Sequence, residues 1–402
     1  MKNFSLFFVS IALIFFISLW PTYSQTIIPG GYVSGMWTAA NSPYHINDDI
    51  TVHTDSALTI EPGVEVIFQG HYRFIINGII NAVGTQTDSI RFTAAIPDTG
   101  WRGLRFMMSA DTSYLAYCII EYGKSTGGNI YDKRGGGIFC QNSQLKISHC
   151  SIRNNLAERY GGGICFDNVL NDTIFITDCD ITNNSTTGSD GDGGGIYFRG
   201  GLFVEMQNCI VSHNLSTNGR GGGIFIGMIP SNINVLRLSN CNVTYNQAGN
   251  EGGGIWTEGP NWNELYITQS DISYNTAVNN GGGIHTQAVW AYTGTFIDSS
   301  SFIGNEVTGA LGKGGAIYGD LAWWPYLAKT VENTIIADNQ AFEGGGLYLF
   351  NGNAYFNKCT IVNNTGTTGG GLYFPSSSNI HIKNSILSLN SPAAIHNQAI
   401  LY

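Results

Sequence analysis

Nine times after residue 134 the chain writes two or three glycines followed by an aliphatic residue. The aliphatic members are Ile138, Ile164, Ile196, Ile224, Ile255, Ile284, Ile317, Leu347 and Leu372, at spacings of 26, 32, 28, 31, 29, 33, 30 and 25 residues. A period near 29 residues with variable length places the variation in loops. A second pattern runs in phase. Leu145, Ile147, Cys150, Ile152 and Asn155 recur as Ile174, Ile176, Cys179, Ile181 and Asn184. They recur again as Val204, Met206, Cys209, Val211 and Asn214, and as Leu236, Leu238, Cys241, Val243 and Asn246. Apolar residues lie two apart, then three, then two. That is strand alternation broken by a bend, and helical spacing is absent. Each unit therefore holds three short strands, one after the glycines and two flanking the Cys/Ser position. One unit cannot bury its inward side chains alone, but stacked units share a continuous core. Stacking at roughly 4.8 Å predicts three parallel sheets around one axis.

The GGGI…CxIxxN pattern over residues 135–390 resembles the right-handed parallel β-helix repeat of the pectin-lyase-like superfamily. It is also similar to the GGAI and FxxN repeats of polymorphic outer-membrane proteins. The expected fold is an all-β, three-sheet solenoid of about 10–13 coils. Residues 47–134 fit the same architecture with poorer repeats, and 25–46 read as a lead-in or cap. Ile50-Thr51-Val52, Leu58-Thr59-Ile60, Val64 to Phe68 and Ile90-Arg91-Phe92 are predicted strands, separated by Pro62-Gly63 and Asn77-Gly78 turns. The segment from Leu58 to Phe106 resembles the opening of large secreted β-helix proteins of Bacteroidetes-type bacteria. Such proteins commonly end in a sorting domain. The last coil stops at Tyr402 without a capping element, which predicts a C-terminally incomplete sequence or an unconventional cap.

Composition agrees with a ladder fold. Only 11% of the 402 residues are charged, while 53 are glycine. Like charges repeated every coil would repel, so stacked columns tolerate few of them. The net charge of −10, from 28 acids and 18 bases, argues against nucleic acid as a partner. Residues 1–24 read as a signal peptide. Lys2 supplies the positive start, Phe7 to Trp20 the apolar stretch, and Thr22-Tyr23-Ser24 a small-residue site ahead of Gln25. After Gln25 no stretch is long and apolar enough for a membrane helix. The expected location is secreted or at the cell surface, with attachment to the outer membrane through a missing C-terminal domain as one form of it.

Three columns read as architecture. Asn155, Asn184, Asn214, Asn246, Asn275, Asn305, Asn339, Asn364 and Asn390 predict a stacked amide ladder at a turn that uses left-handed backbone. Cys118, Cys150, Cys179, Cys209, Cys241 and Cys359 share one inward position with Ser270, Ser300, Thr334 and Ser385. That position wants a small buried side chain, so the thiols are expected to be free and unreactive. The glycines are expected at a corner where φ > 0 or close backbone approach excludes a Cβ.

Two features point to ligands. The residue after each aliphatic member is Phe139, Cys165, Tyr197, Phe225, Trp256, His285, Tyr318, Tyr348 or Tyr373. Alternation turns this column outward, where Tyr197 and Trp256 would belong either to a sugar-stacking stripe or to an aromatic ladder supporting the sheet. Loops after the first strand lengthen in three consecutive coils and carry Trp262, Trp290, Trp323, Trp324 and Tyr326. These form either one exposed aromatic patch or a self-packed set of loops.

Catalysis is poorly signalled. The family's lyases hold calcium with acids on one sheet and use a basic residue for the proton. Here the candidate acids are Asp178, Asp180, Asp190, Asp192 and Asp271. Asp190 and Asp192, in a DGDG turn, are the residues that could take a cation, though the expectation is no cofactor. Asp180 and Asp271 share a repeat position but stand three coils apart, with Ile210 and Asn242 between them. Arg153, Arg199 and Arg220 are the nearest bases, without partners set by sequence. His149, His213 and His285 read as surface or turn residues. The expected function is a non-catalytic adhesin or scaffold holding a polysaccharide or cell-surface component. The alternative is a polysaccharide lyase or hydrolase.

Overall fold

The computed structural model describes residues 25–109, 111–227, 234–259, 263–288, 293–320, 328–350, 352–375 and 378–397. It is a parallel β-solenoid in which every strand pairing is parallel. The predicted N-terminal strands appear at Ile50–Val52, Ala57–Ile60, Glu65–Phe68 and Ile90–Ala94. Residues ahead of them already pair in the same way, Thr26–Ile28 with Tyr44–Ile46 and Gly31–Tyr32 with Ile50–Val52.

One regular coil shows the layout. A glycine strand (Ile138–Gln141) leads to a middle strand (Gln144–Ser148), then to a cysteine strand (Ser151–Arg153). A fourth, two-residue strand (Leu156–Ala157) follows the asparagine and was not anticipated from the repeat. Glycine and middle strands fuse into one 25-stranded sheet, since Ile164–Thr177 and Ile196–Gln207 run through both positions. The cysteine strands build a 14-stranded sheet and the short ones a 7-stranded sheet.

Inward residues of all coils merge into a single apolar core, including Ile138, Cys140, Leu145, Ile147 and Ile152 in this coil. Lys329 also lies inside, its Nζ donating to Thr286 Oγ1 at 2.7 Å. Gly319 leaves the room, because a Cβ there would sit 2.7 Å from that nitrogen.

The glycine corner needs both of its expected reasons, at different positions. The first glycine of each group has left-handed backbone, as at Gly161 (φ 65°) and Gly221 (φ 62°). The second has no room, since a Cβ on Gly162 would meet the Gly194 carbonyl at 2.3 Å. The third backs onto the asparagine, with a Cβ on Gly163 only 2.9 Å from Asn184 Nδ2. The two repeated motifs thus pack against each other. The asparagines hydrogen-bond continuously, from Asn155 Nδ2 to Asn184 Oδ1 (3.0 Å) through to Asn364 Nδ2 to Asn390 Oδ1 (2.9 Å). One detail differs from expectation. The left-handed residue is the one before the ladder, namely Asn154, Asn183, His213, Tyr245 and Tyr274 in successive coils. The ladder side chain is thereby free to bond along the axis. All eight cysteines are free and buried. Desolvation drives the Cys140 and Cys165 thiols far up from their ordinary pKa.

Candidate functional site: the outer face of the glycine strands

The column after the aliphatic residue is in strict register from Ile75 and Arg105 through Phe139, Cys165, Tyr197, Phe225, Trp256, His285, Tyr318, Tyr348 and Tyr373 to His396. Neighbouring rings stack, Tyr197 on Phe225 at 4.9 Å, Phe225 on Trp256 at 4.5 Å and Tyr348 on Tyr373 at 5.1 Å. The column points away from the solenoid core, as alternation requires, but it is not exposed. Phe139, Cys165, Tyr197, Phe225 and Trp256 form a second buried apolar cluster, with Tyr160 packed against it. Tyr197 is 6% exposed and Trp256 0%, the arrangement of an aromatic ladder supporting the sheet, one of the two alternatives the sequence left open. Trp262, Trp290, Trp323, Trp324 and Tyr326 lie outside the described residues.

The cover is supplied by a column the sequence reading passed over, the residue just before each glycine group. It runs Arg134, Tyr160, Asp192, Arg220, Glu251, Asn280, Lys313, Glu343 and Thr368. Adjacent members pair between coils. Arg220 Nη2 meets Asp192 Oδ2 at 3.0 Å, Asn280 Nδ2 donates to Glu251 Oε1 at 2.9 Å, and Lys313 Nζ lies 3.6 Å from Glu343 Oε2. The cations also cap rings, with Arg220 4.2 Å from the Trp256 centroid and Lys313 4.8 Å from that of Tyr348. A guanidinium on an aromatic face covers apolar area while keeping its charge partner. Alternating opposite charges in one column was the signal available in the sequence.

This placement answers for the metal candidates. Asp190 is bound by Arg159, and Asp192 by Arg220, so the DGDG carboxylates turn to two different cations. Burial pushes the Asp192 carboxyl up from its ordinary pKa, against the pull of Arg220. Asp178 accepts from Asn208 Nδ2 at 2.9 Å, and Asp271 from Ser301 Oγ at 2.6 Å. Ile210 and Asn242 separate Asp180 from Asp271 in the register. Among the described residues no three His, Cys, Asp or Glu side chains converge in a metal-binding group. Arg153 bonds the buried Glu121 at 2.9 Å, and Arg199 lies 3.5 Å from Asp167. His285, expected at a surface or turn, is buried between Trp256 and Tyr318, with Nδ1 3.7 Å from Glu251 Oε2. Burial lowers its pKa to about 4, against the attraction of Glu251.

Toward the N-terminal end the same face changes character. The 126–134 loop, with a 3₁₀ turn at Tyr131–Lys133, folds over Arg105 and Phe139. It forms one wall of a half-open cavity of about 230 Å³ lined by Arg73, Ile75, Arg105, Met107, Asn129, Tyr131, Asp132 and Phe139. Arg73 bridges Asp49 (3.1 Å) and Asp132 (3.0 Å), and Arg102 reaches the same Asp132 at 3.7 Å. Arg105 is 3% exposed and donates to Ser125 Oγ at 2.9 Å, to the Gly135 and Asp132 carbonyls at 3.3 Å, and to the Arg134 carbonyl. Burial lowers its pKa to about 10, which leaves it charged at neutral pH. Nothing in the repeat predicted this cluster, because it joins residues of successive irregular coils through a non-repeating loop.

No family model matches the chain, and no solved structure matches it. A curated relative is "Protein bark beetle" of Drosophila melanogaster, 33% identical over 101 residues. The match covers 22% of this chain and 3% of that protein's length, so it describes a short segment of a far longer molecule.

Proposed function

We propose that this chain is an exported, surface-displayed β-solenoid of the pectin-lyase-like type that binds a polysaccharide without cleaving it. The observation carrying the reading is the cavity of about 230 Å³, where arginine side chains and the rings of Tyr131 and Phe139 share one wall system. Concave sites with apolar walls and a few placed polar groups are where ligands of this kind bind. A non-catalytic role is supported by the pairing of Asp190, Asp192, Asp167 and Glu121 with arginines, which leaves those carboxylates engaged rather than poised over a substrate. Export through the 1–24 leader belongs to the same proposal, and N-terminal sequencing of the secreted product should begin at Gln25.

A glycan array probed with the full chain, followed by an assay for unsaturated or reducing-end products, tests the function. Retention without product is the expected outcome. Product formation would replace the binding reading by the lyase or hydrolase one, and the absence of retention on any glycan would overturn both.

A further inference from the structure

The outer face of the 14-stranded sheet changes character along its length. Outward residues of its N-terminal part include Glu65, Arg91, Glu121, Arg153, Asp180 and Asp271, in register from strand to strand. Arg91 pairs there with Glu65 and Glu121, and Arg153 with Glu121. The outward residues of the last four strands carry no charge. One column runs Ser301, Ile335, Thr360 and Ile386, and the other Ile303, Ala337, Val362 and Ser388. Ile335 is 45% and Ile386 60% exposed, while Ile303 and Val362 are half-buried.

An uncharged, β-branched sheet face gains free energy when it is covered, and a second flat sheet covers it best. Charge at the margins says which sheet. The strand Ile335–Ala337 is flanked by Asn333 on one side and Asp338 on the other, and the next strand, Thr360–Val362, by Lys358 and Asn363. Asp338, Lys358 and Asn363 are exposed, and Asn363 Nδ2 donates to Asp338 Oδ1. An acid therefore stands on one margin and a base on the opposite margin, one coil apart. A two-fold axis parallel to the solenoid lays each margin of one copy on the opposite margin of the other, so the acid and the base meet twice. A two-fold axis along the strands would lay like margins together and keep acid and base apart. The face is thus self-complementary in one orientation, as an isologous contact requires.

We infer that this face is the interface of a two-fold homodimer of parallel solenoids, with Ile335 packed at its centre and Lys358 of each copy against the partner's Asp338. Four strands about 4.8 Å apart, each presenting about five residues at about 3.3 Å, give a face of about 300 Å². That is below the roughly 800 Å² per partner of a stable complex, so the dimer is weak and reversible. The inference does not rest on the binding reading above, because it concerns a different sheet and a different partner.

Sedimentation velocity of the full chain, from about 1 µM to about 1 mM, is the test, since weak association falls in that span. A reversible monomer–dimer equilibrium should appear. Ile335→Lys should weaken it tenfold or more, because each dimer would then bury two unpaired ammonium groups. Ile210→Lys makes the same change in the same outward column, but in the charged part of the sheet, and should leave the equilibrium unchanged. Lys358→Asp and Asp338→Lys should each weaken the dimer about threefold, as exposed ion pairs do. The double exchange should restore the parent value, and it carries the test should Ile335→Lys not fold. A monomer at every concentration, an Ile335→Lys protein that dimerises like the parent, or an Ile210→Lys protein weakened as much as Ile335→Lys would each overturn the inference. A double exchange no better than the single ones would overturn the parallel arrangement.

Discussion

Two columns run along the regular coils of this solenoid, and they obey different rules. The inner asparagine column keeps one residue type from Asn155 to Asn390. The outer column beside the glycines takes Arg105, Phe139, Cys165, Tyr197, Phe225, Trp256, His285 and Tyr318 in turn. The difference is directional bonding. Each ladder amide donates to a carbonyl of the preceding coil and to the next amide while accepting from the previous one, so only a carboxamide of that length closes the chain. Stacking and apolar cover are satisfied by many shapes. A column held by hydrogen bonds conserves identity along the molecule, whereas a column held by contact area is free to change and to acquire a site.

Breaking the ladder in its middle should be the largest effect. Asn246→Ala removes the bond to the Val211 carbonyl and those from the Asn214 backbone N–H and Nδ2, leaving Nδ2 only its bond to Ile181, all within buried structure. With about 1–3 kcal/mol for each buried group left unmade, a loss of about 5 kcal/mol is expected in urea unfolding. Asn390→Ala, at the end of the ladder, should cost about half as much or less. Equal losses at both sites would show that the ladder is not cooperative.

In the outer column Trp256→Ala removes a fully buried ring stacked on Phe225 and capped by Arg220, and should cost about 4 kcal/mol. Trp256→Phe should cost about 1–2 kcal/mol, since stacking survives. A Phe variant as damaging as the Ala variant would contradict the tolerance ascribed to this column.

His285 offers a pH test of the same column. Its folded pKa of about 4 lies below the ordinary value of 6.5, so the unfolded chain takes up the proton first. The stability it supports is intact above about pH 6.5 and is lost as pH falls toward about 4, by on the order of 3 kcal/mol. His285→Tyr, the residue type at the equivalent Tyr318, should remove that part of the acid sensitivity. Unfolding midpoints at pH 7.5 and 4.5 for both proteins measure it.

The smallest effect belongs to the cysteine position. Cys179→Ser places there the residue that Ser270 already supplies, and should change stability by about 1 kcal/mol at most. Thiol titration should find all eight cysteines after denaturation without reductant and almost none before it. A disulfide in the denatured chain would contradict the free buried thiols.

The repeat made the strand positions, the inward apolar rows, the glycine corner and the asparagine column legible, because each follows from alternation, backbone sterics or amide bonding repeated in every coil. The left-handed residue lies one position earlier than expected, and the asparagine pairs Asn154-Asn155, Asn183-Asn184 and Asn363-Asn364 do not separate the two roles by composition. The buried state of Tyr197, Trp256 and His285 was not legible, because alternation says which way a side chain points and not what covers it.

The sequence by itself therefore determined the solenoid, since a pattern of period near 29 has only one way to bury its inward faces. Tertiary structure alone decided that Arg220 meets Asp192, that Arg134 and Arg199 share Asp167, and that the 126–134 loop folds over Arg105 beside a half-open cavity. Those contacts join residues about one coil apart through loops of unequal length. Their partners are set by which turns stack in space, and charge pairing acts on that distance rather than on the distance along the chain.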